Sequence, residues 1–437
     1  MTHRLPERAR NLSVEALARV EGEGAMRVRL RDGEVEEVAF SIYEPPRFFE
    51  GFLVGRRMDE PVDITARICG ICPIAYQISA TRAIEAACGL TIDEGPVREL
   101  RRLIYCGEWI ESHALHIYLL HTPDFLGYDS AIELAGDHRR VVERGLALRK
   151  AGTELVGVIG GRASHPVNLK LGGFYRAPAR SELDGVRRLL EEAVEISVDT
   201  VRLVASFEFP ELELDHAFVS LYEDGRYPID AGRLVSSTGL DVPVAAFAEH
   251  IVEEHVERST ALHARLSGHD GTFMVGPLAR YALAGHLLGP TAQALIDDLA
   301  LPRVITNPYQ SIIVRALETL EACEEALRII DAYTPPDPPA RTVRPQAGVG
   351  FGASEAPRGL LTHRYELDAN GIITGATITP PTAQNQLAVE SDLTAFIAAH
   401  SHLDDEPLRW QLEQAIRNYD PCISCATHFL DLTVERH

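Results

Sequence analysis

The 437-residue sequence contains no run of about 18 apolar residues, so no membrane-spanning helix is expected from it. Its first stretch, MTHRLPERARNLSVEALARVEG, has neither an apolar h-region nor a small-residue cleavage site. No secretory signal is therefore expected, and a cytoplasmic location is. There is no dense Lys/Arg block either: 42 basic residues face 64 acidic ones, for a net charge of −22. A nucleic-acid partner needs a positive footprint, so that class is excluded. A disulfide framework is missing too. The seven cysteines are an odd number, and Cys88, Cys106 and Cys323 stand alone on apolar or helical stretches, where they read as small core hydrophobes. Reduced thiols fit such usage. Finally, GVGFGA (348–353) lacks the G-x-G-x-x-G order and joins no clear strand to a helix, so no nucleotide fingerprint is present.

What remains is an ordinary globular composition, 46% hydrophobic and 24% charged, able to bury a large core. Apolar and polar residues alternate from Met26 to Ile42 around Asp32-Gly33, and again from Tyr365 to Ile378 around Asn370-Gly371. Both are hairpin signatures. Helical periodicity covers about 73–90, 96–121, 130–157, 180–207, 243–265, 308–332, 385–401 and 405–418. The expected fold is thus mainly α within an α+β class: a large helical core with small antiparallel hairpins near both termini. Length alone suggests two or three domains, and the Pro-rich connector at 333–348 looks like a boundary. The cysteine pairs lie on either side of it, however, and a shared site requires one packing unit. A single domain over 1–437, with the connector internal, is expected.

Those pairs are Cys69 and Cys72 in RICGICP, and Cys422 and Cys425 in DPCISCATH. Pro73 is suited to a first helical position, which places Cys72 at a helix N-terminus, where the helix dipole favours thiolate. Gly70 permits a tight turn between the first two sulfurs. Both pairs have the i, i+3 spacing of a chelate. Four thiolates suit zinc, an iron–sulfur cluster, or nickel and iron. Structural zinc pairs two such motifs at short range in small domains, which this chain is not; separate thioredoxin-like motifs would follow a βαβ start, and neither pair does.

Together the two motifs resemble the signature ends of the large, catalytic subunit of nickel–iron hydrogenases. RVEGEG (19–24), PRFFEG (46–51), ESHALHIYLL (111–120), GGRASHPVNLKLGGF (160–174), EAPRG (355–359) and TAQNQ (382–386) resemble further family blocks, in family order. PRFFE and ESHALH are most similar to the soluble, cytoplasmic, NAD(P)-linked branch that includes the sulfhydrogenases. The resemblance implies reversible heterolytic cleavage of H2 at a Ni–Fe centre with CO and cyanide on iron. Cys72 and Cys425 would bridge the metals; Cys69 and Cys422 would be terminal on nickel. Such a centre remains anionic and needs a buried counter-charge. Arg358 matches the family arginine over the open metal position, and Asp420 a carboxylate that bonds to it. Glu21 matches the proton-transfer glutamate beside Cys422; burial would lift its proton affinity as a shuttle needs. Glu50 and His428 match the ligands of a family magnesium (Mg2+) site, helped by backbone around Asn385–Gln386.

Each of these residues also has a plainer reading. Glu21 could be a solvated residue before a strand, Arg358 a structural ion-pair partner and Asp420 a turn cap before Pro421. Glu50 could be a boundary residue, and His428 a local hydrogen-bonding side chain. Ser112 and His116 share a helical face with His113 displaced from it; many membrane-type relatives carry aspartate where Ser112 aligns, so the polar cover over the metals differs. His165 matches a histidine near the partner's proximal cluster, or is a core histidine. Three scattered cysteines cannot hold an iron–sulfur relay. The implied partners are an iron–sulfur small subunit and flavin and NAD(P) diaphorase-type subunits. FLDLTVERH, after His428, is an unprocessed tail or a retained end. Two alternatives stand beside this reading. One is a non-catalytic helical scaffold with a four-cysteine zinc site; the other, a respiratory quinone-module relative, is disfavoured because such relatives have lost the four cysteines.

Overall fold

A computed structural model of the chain describes residues 9–31, 34–45, 47–269 and 271–427. The centre of the fold is a set of helices: α1 (Pro73–Ala87), α2 (Pro96–Leu115), α3 (Arg139–Gly160), α4 (Asp184–Ala205), α5 (Pro277–Ala284), α6 (Ser311–Ala332), α7 (Pro381–His400) and α8 (Asp405–Arg417). Helix α2 packs on α3 and α6, and α4 completes the group by packing on α3 and α6. Helices α1, α2 and α5 all start on proline at the first turn, where its missing N–H costs nothing. Beyond α2 the chain widens into a π-helical turn over His116–His121. The expected helix at 130–157 is two: Ala131–Asp137, capped by Ser130 Oγ accepting from Glu133 N at 3.3 Å, and then α3.

Strands β1 (Ala9–Val14), β2 (Gly24–Arg31) and β3 (Glu34–Ile42) form an antiparallel sheet in that order. The tip of its expected hairpin, Asp32-Gly33, lies outside the described residues. Mid-chain, β4 (Ala217–Tyr222), β5 (Arg233–Ser236), β6 (Asp241–Val242) and β9 (Phe273–Met274) make a four-stranded sheet in the order β9-β4-β5-β6. Near the C-terminus, β10 (Gly348–Ala356), β11 (Gly359–Leu367) and β12 (Ile373–Thr379) are antiparallel, with the Asn370-Gly371 turn joining the last two. In β10 the string GVGFGA turns its alternate glycines to α1. A Cβ on Gly350 would stand 2.0 Å from Ala83 O, and one on Gly352 2.3 Å from Ser79 O. The glycines bring a strand onto a helix backbone.

The helix expected over 243–265 does not form. That segment contains a 3-10 turn, the short helix Phe247–His250, and the hairpin of β7 (Ile251–Glu254) with β8 (His263–Leu266). Tertiary bonds win over local period here: Thr260 N donates to Ile42 O at 2.7 Å and Ser259 Oγ accepts from Ile42 N at 3.2 Å. The main hydrophobic core runs without a break from Leu12 to Ala426 and includes residues on both sides of the Pro-rich connector. Among the described residues, no helix is long and apolar enough to cross a membrane.

Candidate metal centre

The two ends of the described chain meet. Glu21, just before β2, pairs with Cys422 as an isolated parallel bridge, and Ile423 N donates to Glu21 O at 2.9 Å. Arg47 fastens the seam. Its Nη2 donates to Ile68 O at 2.6 Å and also to Ser424 O, while its own N donates to Thr427 O at 2.6 Å. One guanidinium thus joins the backbone beside Cys69 to the backbone beside Cys425. Thr382, at the start of α7, accepts from Cys422 N at 3.0 Å.

Cys72 is the N-cap of α1, as Pro73 predicts, but its side chain caps nothing. The freed N–H groups of Ile74 and Ala75 go instead to the Glu108 carboxylate on α2, at 2.5 and 3.1 Å. That leaves the Cys72 sulfur free to face the other three. Cys69 Sγ lies 3.3 Å from Cys422 Sγ, and Cys72 Sγ 3.6 Å from Cys425 Sγ. All four sulfurs fall within 4.8 Å of one another, and all four residues are buried. Cys106 and Cys323 are buried in the core and Cys88 is half-buried, away from this group.

Without metal, the thiols do not ionise alike. Hydrogen bonds from Cys422, Cys425 and Cys72 pull Cys69 well below the ordinary thiol value, with Arg358 nearby adding to the effect. Cys72 is drawn down by Cys422 but pushed up more strongly by Cys425, Cys69 and burial, so the thiolate preference expected at its helix end is overridden. One thiolate discourages the next at this spacing. A bound cation would let all four ionise together, and a buried, all-sulfur donor set of this size fits soft or borderline metal ions.

Two groups flank the sulfurs. Glu21 Oε2 lies 3.2 Å from Cys422 Sγ and accepts from Ser424 N at 3.1 Å. Burial, then the nearby Cys69, raises the proton affinity of Glu21. Ser424 Oγ in turn donates to the Glu44 carboxylate at 2.9 and 3.0 Å. On the other flank, Arg358 Nε donates to Asp420 O at 2.8 Å, Nη2 to Asp420 Oδ1 at 3.1 Å and Nη1 to Ser112 Oγ at 3.3 Å. Asp420 adopts a positive φ of 50°, a left-handed conformation that aspartate tolerates. Burial works against the Arg358 charge, but Asp420, Cys422, Cys72 and Cys69 outweigh it and hold the guanidinium ionised. Burial raises Asp420, opposed by Arg358 and Arg315.

The remaining expected residues fall elsewhere. Glu50 is half-buried and accepts from Ile378 N at 2.7 Å; loss of solvent around its carboxylate pushes it up to about 8. His428 and the residues after it lie outside the described residues. The Asn385 side chain pairs with both backbone groups of Val275, at 2.9 and 3.1 Å. His113 Nε2 lies 3.0 Å from Glu318, and His116 Nε2 lies 2.8 Å from Arg417 O. His165 Nδ1 meets Ala66 O at 2.7 Å. Arg47 lies in PRFFEG and Thr382 in TAQNQ, but their roles, like that of Glu108, are invisible in the sequence, because each bonds to backbone brought close only by the fold.

Comparison with known proteins agrees with this geometry. The family described as nickel-dependent hydrogenase matches residues 47–143. Sulfhydrogenase 1 subunit alpha of Pyrococcus furiosus is 34% identical over 426 residues, covering 96% of this chain and 98% of that one. The NAD-reducing hydrogenase HoxS subunit beta of Cupriavidus necator is 29% identical, covering 97% and 95%. Among solved structures, an NAD+-reducing [NiFe]-hydrogenase in its H2-reduced state superposes with a TM-score of 0.83 at 26% identity, over 96% of this chain and 99% of that one. The chain with its head and tail cysteines gathered at one buried site belongs to the nickel–iron hydrogenase large-subunit family.

Proposed function

We propose that this chain acts as one domain in a cytoplasmic, NAD(P)-linked hydrogenase, and that Glu21, Arg358, Asp420 and Cys422 carry its part of the reaction. The observation behind this reading is the four-sulfur cradle with a carboxyl on one flank and an ionised guanidinium on the other. When bound, the metals, with CO and cyanide on iron, supply the splitting of H2 into hydride and proton. Cys422 Sγ accepts the proton and donates it to Glu21 Oε2, 3.2 Å away. The Ser424 hydroxyl and the Glu44 carboxylate lie next along that path. Arg358 places a fixed positive charge at the buried anionic site, and Asp420 holds two of its nitrogens in register. The buried walls keep water from the reacting atoms.

Glu50 and His428 are proposed as ligands of a magnesium ion, with carbonyls near Gln386. Electrons leave through an iron–sulfur small subunit to flavin and NAD(P) diaphorase-type subunits. The names of two relatives support the acceptor: one is an NAD-reducing hydrogenase subunit and the other an NAD+-reducing [NiFe]-hydrogenase structure. The test is hydrogen-dependent reduction of NAD+ and NADP+ by the complex purified from its native source, beside reduction of a viologen dye. Pyridine nucleotide reduction at a rate comparable to the dye is expected; dye reduction with neither nucleotide reduced would overturn the NAD(P) assignment.

A further inference from the structure

Arg358 occupies the second place of the two-residue turn that joins β10 to β11, with Ala356 and Gly359 paired at its base. A guanidinium that must stand over a metal site needs that turn held still. Arg280, on α5, does this with every hydrogen it has. An arginine offers five N–H donors. Nε donates to Glu318 Oε1 at 2.7 Å, and Nη2 to Glu318 Oε2 at 2.8 Å. Nη1 donates to Glu355 Oε2 at 2.9 Å and to Ala356 O at 3.1 Å, and Nη2 also to Pro357 O at 3.0 Å. The last two acceptors are the successive carbonyls immediately before Arg358.

The anchor is itself anchored. Arg280, Glu318 and Glu355 are all 0% exposed, and the Arg280 guanidinium lies 4.6 Å from the Trp109 ring centre. Glu318 accepts from Tyr227 Oη at 2.8 Å, and Glu355 Oε1 from Leu221 N at 2.7 Å. The start of α5 also presses on the turn: a Cβ on Gly276 would stand 2.7 Å from Arg358 O. Helices α2, α5 and α6 and strand β4 therefore converge on one hairpin tip.

We propose that Arg280 is a positioning residue for Arg358: its fork grips the Ala356 and Pro357 carbonyls and so fixes the guanidinium over the four thiols. This rests on the role given to Arg358 above. Lysine, with its donors at a single point, cannot serve two carboxylates and two carbonyls together.

The test uses the native complex carrying Arg280→Lys, alone and combined with Arg358→Lys. Nickel and iron contents are expected to be unchanged, and the KM for hydrogen likewise. Turnover is expected to fall about ten- to a hundredfold, the scale of a misplacement near 1 Å. Amide exchange should accelerate in peptides covering 355–361 and not in those of α7. Added to Arg358→Lys, the second change should cost less than about twofold, because the two act as one unit. Unchanged turnover and exchange, or losses that multiply independently, would overturn the proposal. So would loss of metal or faster exchange throughout, which would make Arg280 a general support of the fold. If Arg280→Lys does not accumulate, Glu355→Gln loosens the same guanidinium and should give the same local exchange signature; none there would also overturn it. A wild-type complex without nickel and iron would instead contradict the reading of the site itself.

Discussion

Replacing Arg358 with lysine is the perturbation whose size the structure lets us work out. Arginine makes two bonds to Asp420, at 2.8 and 3.1 Å, and a longer one to Ser112 at 3.3 Å. Lysine keeps the charge but, with its donors at one point, cannot serve both the Asp420 backbone carbonyl and its carboxylate, and Arg315 stands 3.7 Å from the other carboxylate oxygen, too far to replace them. Losing one charge-assisted bond of this kind costs about 1.5–3 kcal/mol. If that loss falls on the transition state, turnover drops about ten- to a hundredfold. The charge balance of the site survives, so nickel and iron should stay bound. The assay is steady-state hydrogen oxidation with a viologen dye by the purified complex, with metal analysis of the same samples. A variant that turns over at the wild-type rate would refute the reasoning, and so would one that has lost its metals.

Cys422→Ser removes both a ligand and the sulfur facing Glu21; hydrogen turnover should vanish, and measurable activity would exclude the ligand assignment. Glu21 must be deprotonated to accept a proton, and burial raises its proton affinity, so hydrogen oxidation should rise as pH climbs through its pKa. Glu21→Gln should slow turnover and erase that limb of the pH profile; an unaltered profile would remove Glu21 from the path. Glu50 is pushed by burial to about 8, so in metal-free protein its favourable protonated state is fully present below the ordinary glutamate range and is lost as pH rises toward about 8. A magnesium ion held at Glu50, as proposed, would take the place of that proton, so its stabilising effect in thermal melts should grow with pH across that window. Equal magnesium shifts in wild type and Glu50→Gln would end that assignment.

The sequence made the site legible because its ligands are chemically rare and paired. RICGIC and DPCISCATH predict four gathered sulfurs, and the folded chain gathers them within 4.8 Å. Helices with long apolar period, α1, α2, α4 and α6, lie close to where that period places them. What escaped detection depends on tertiary partners. Strand β4 is a short run, AFVSLY, buried at every residue but Tyr222 and so without the alternation that marks a half-exposed strand. The segment 243–265 carries a helical period but is held as a hairpin by the edge of β3. GVGFGA lies in a strand that the sequence does not mark, because its glycines matter only against the backbone of α1. Glu108 and Arg280 bond chiefly to backbone and buried carboxylates distant in sequence, and nothing local marks them; Arg47 lies in PRFFEG, but its bonds to Ile68 and Ser424 appear only in the fold.

Head and tail thiols together hold one nickel–iron centre. Nickel and iron analysis, with infrared spectra of the same samples, tests this most directly in the wild-type complex and in Cys72→Ser and Cys425→Ser, one substitution at each end. The expected result is nickel and iron in equal amounts in the wild type, with infrared bands of CO and cyanide on iron, and loss of those bands from either variant. Zinc alone in the wild type, or a variant at one end that keeps the full spectrum, would contradict it.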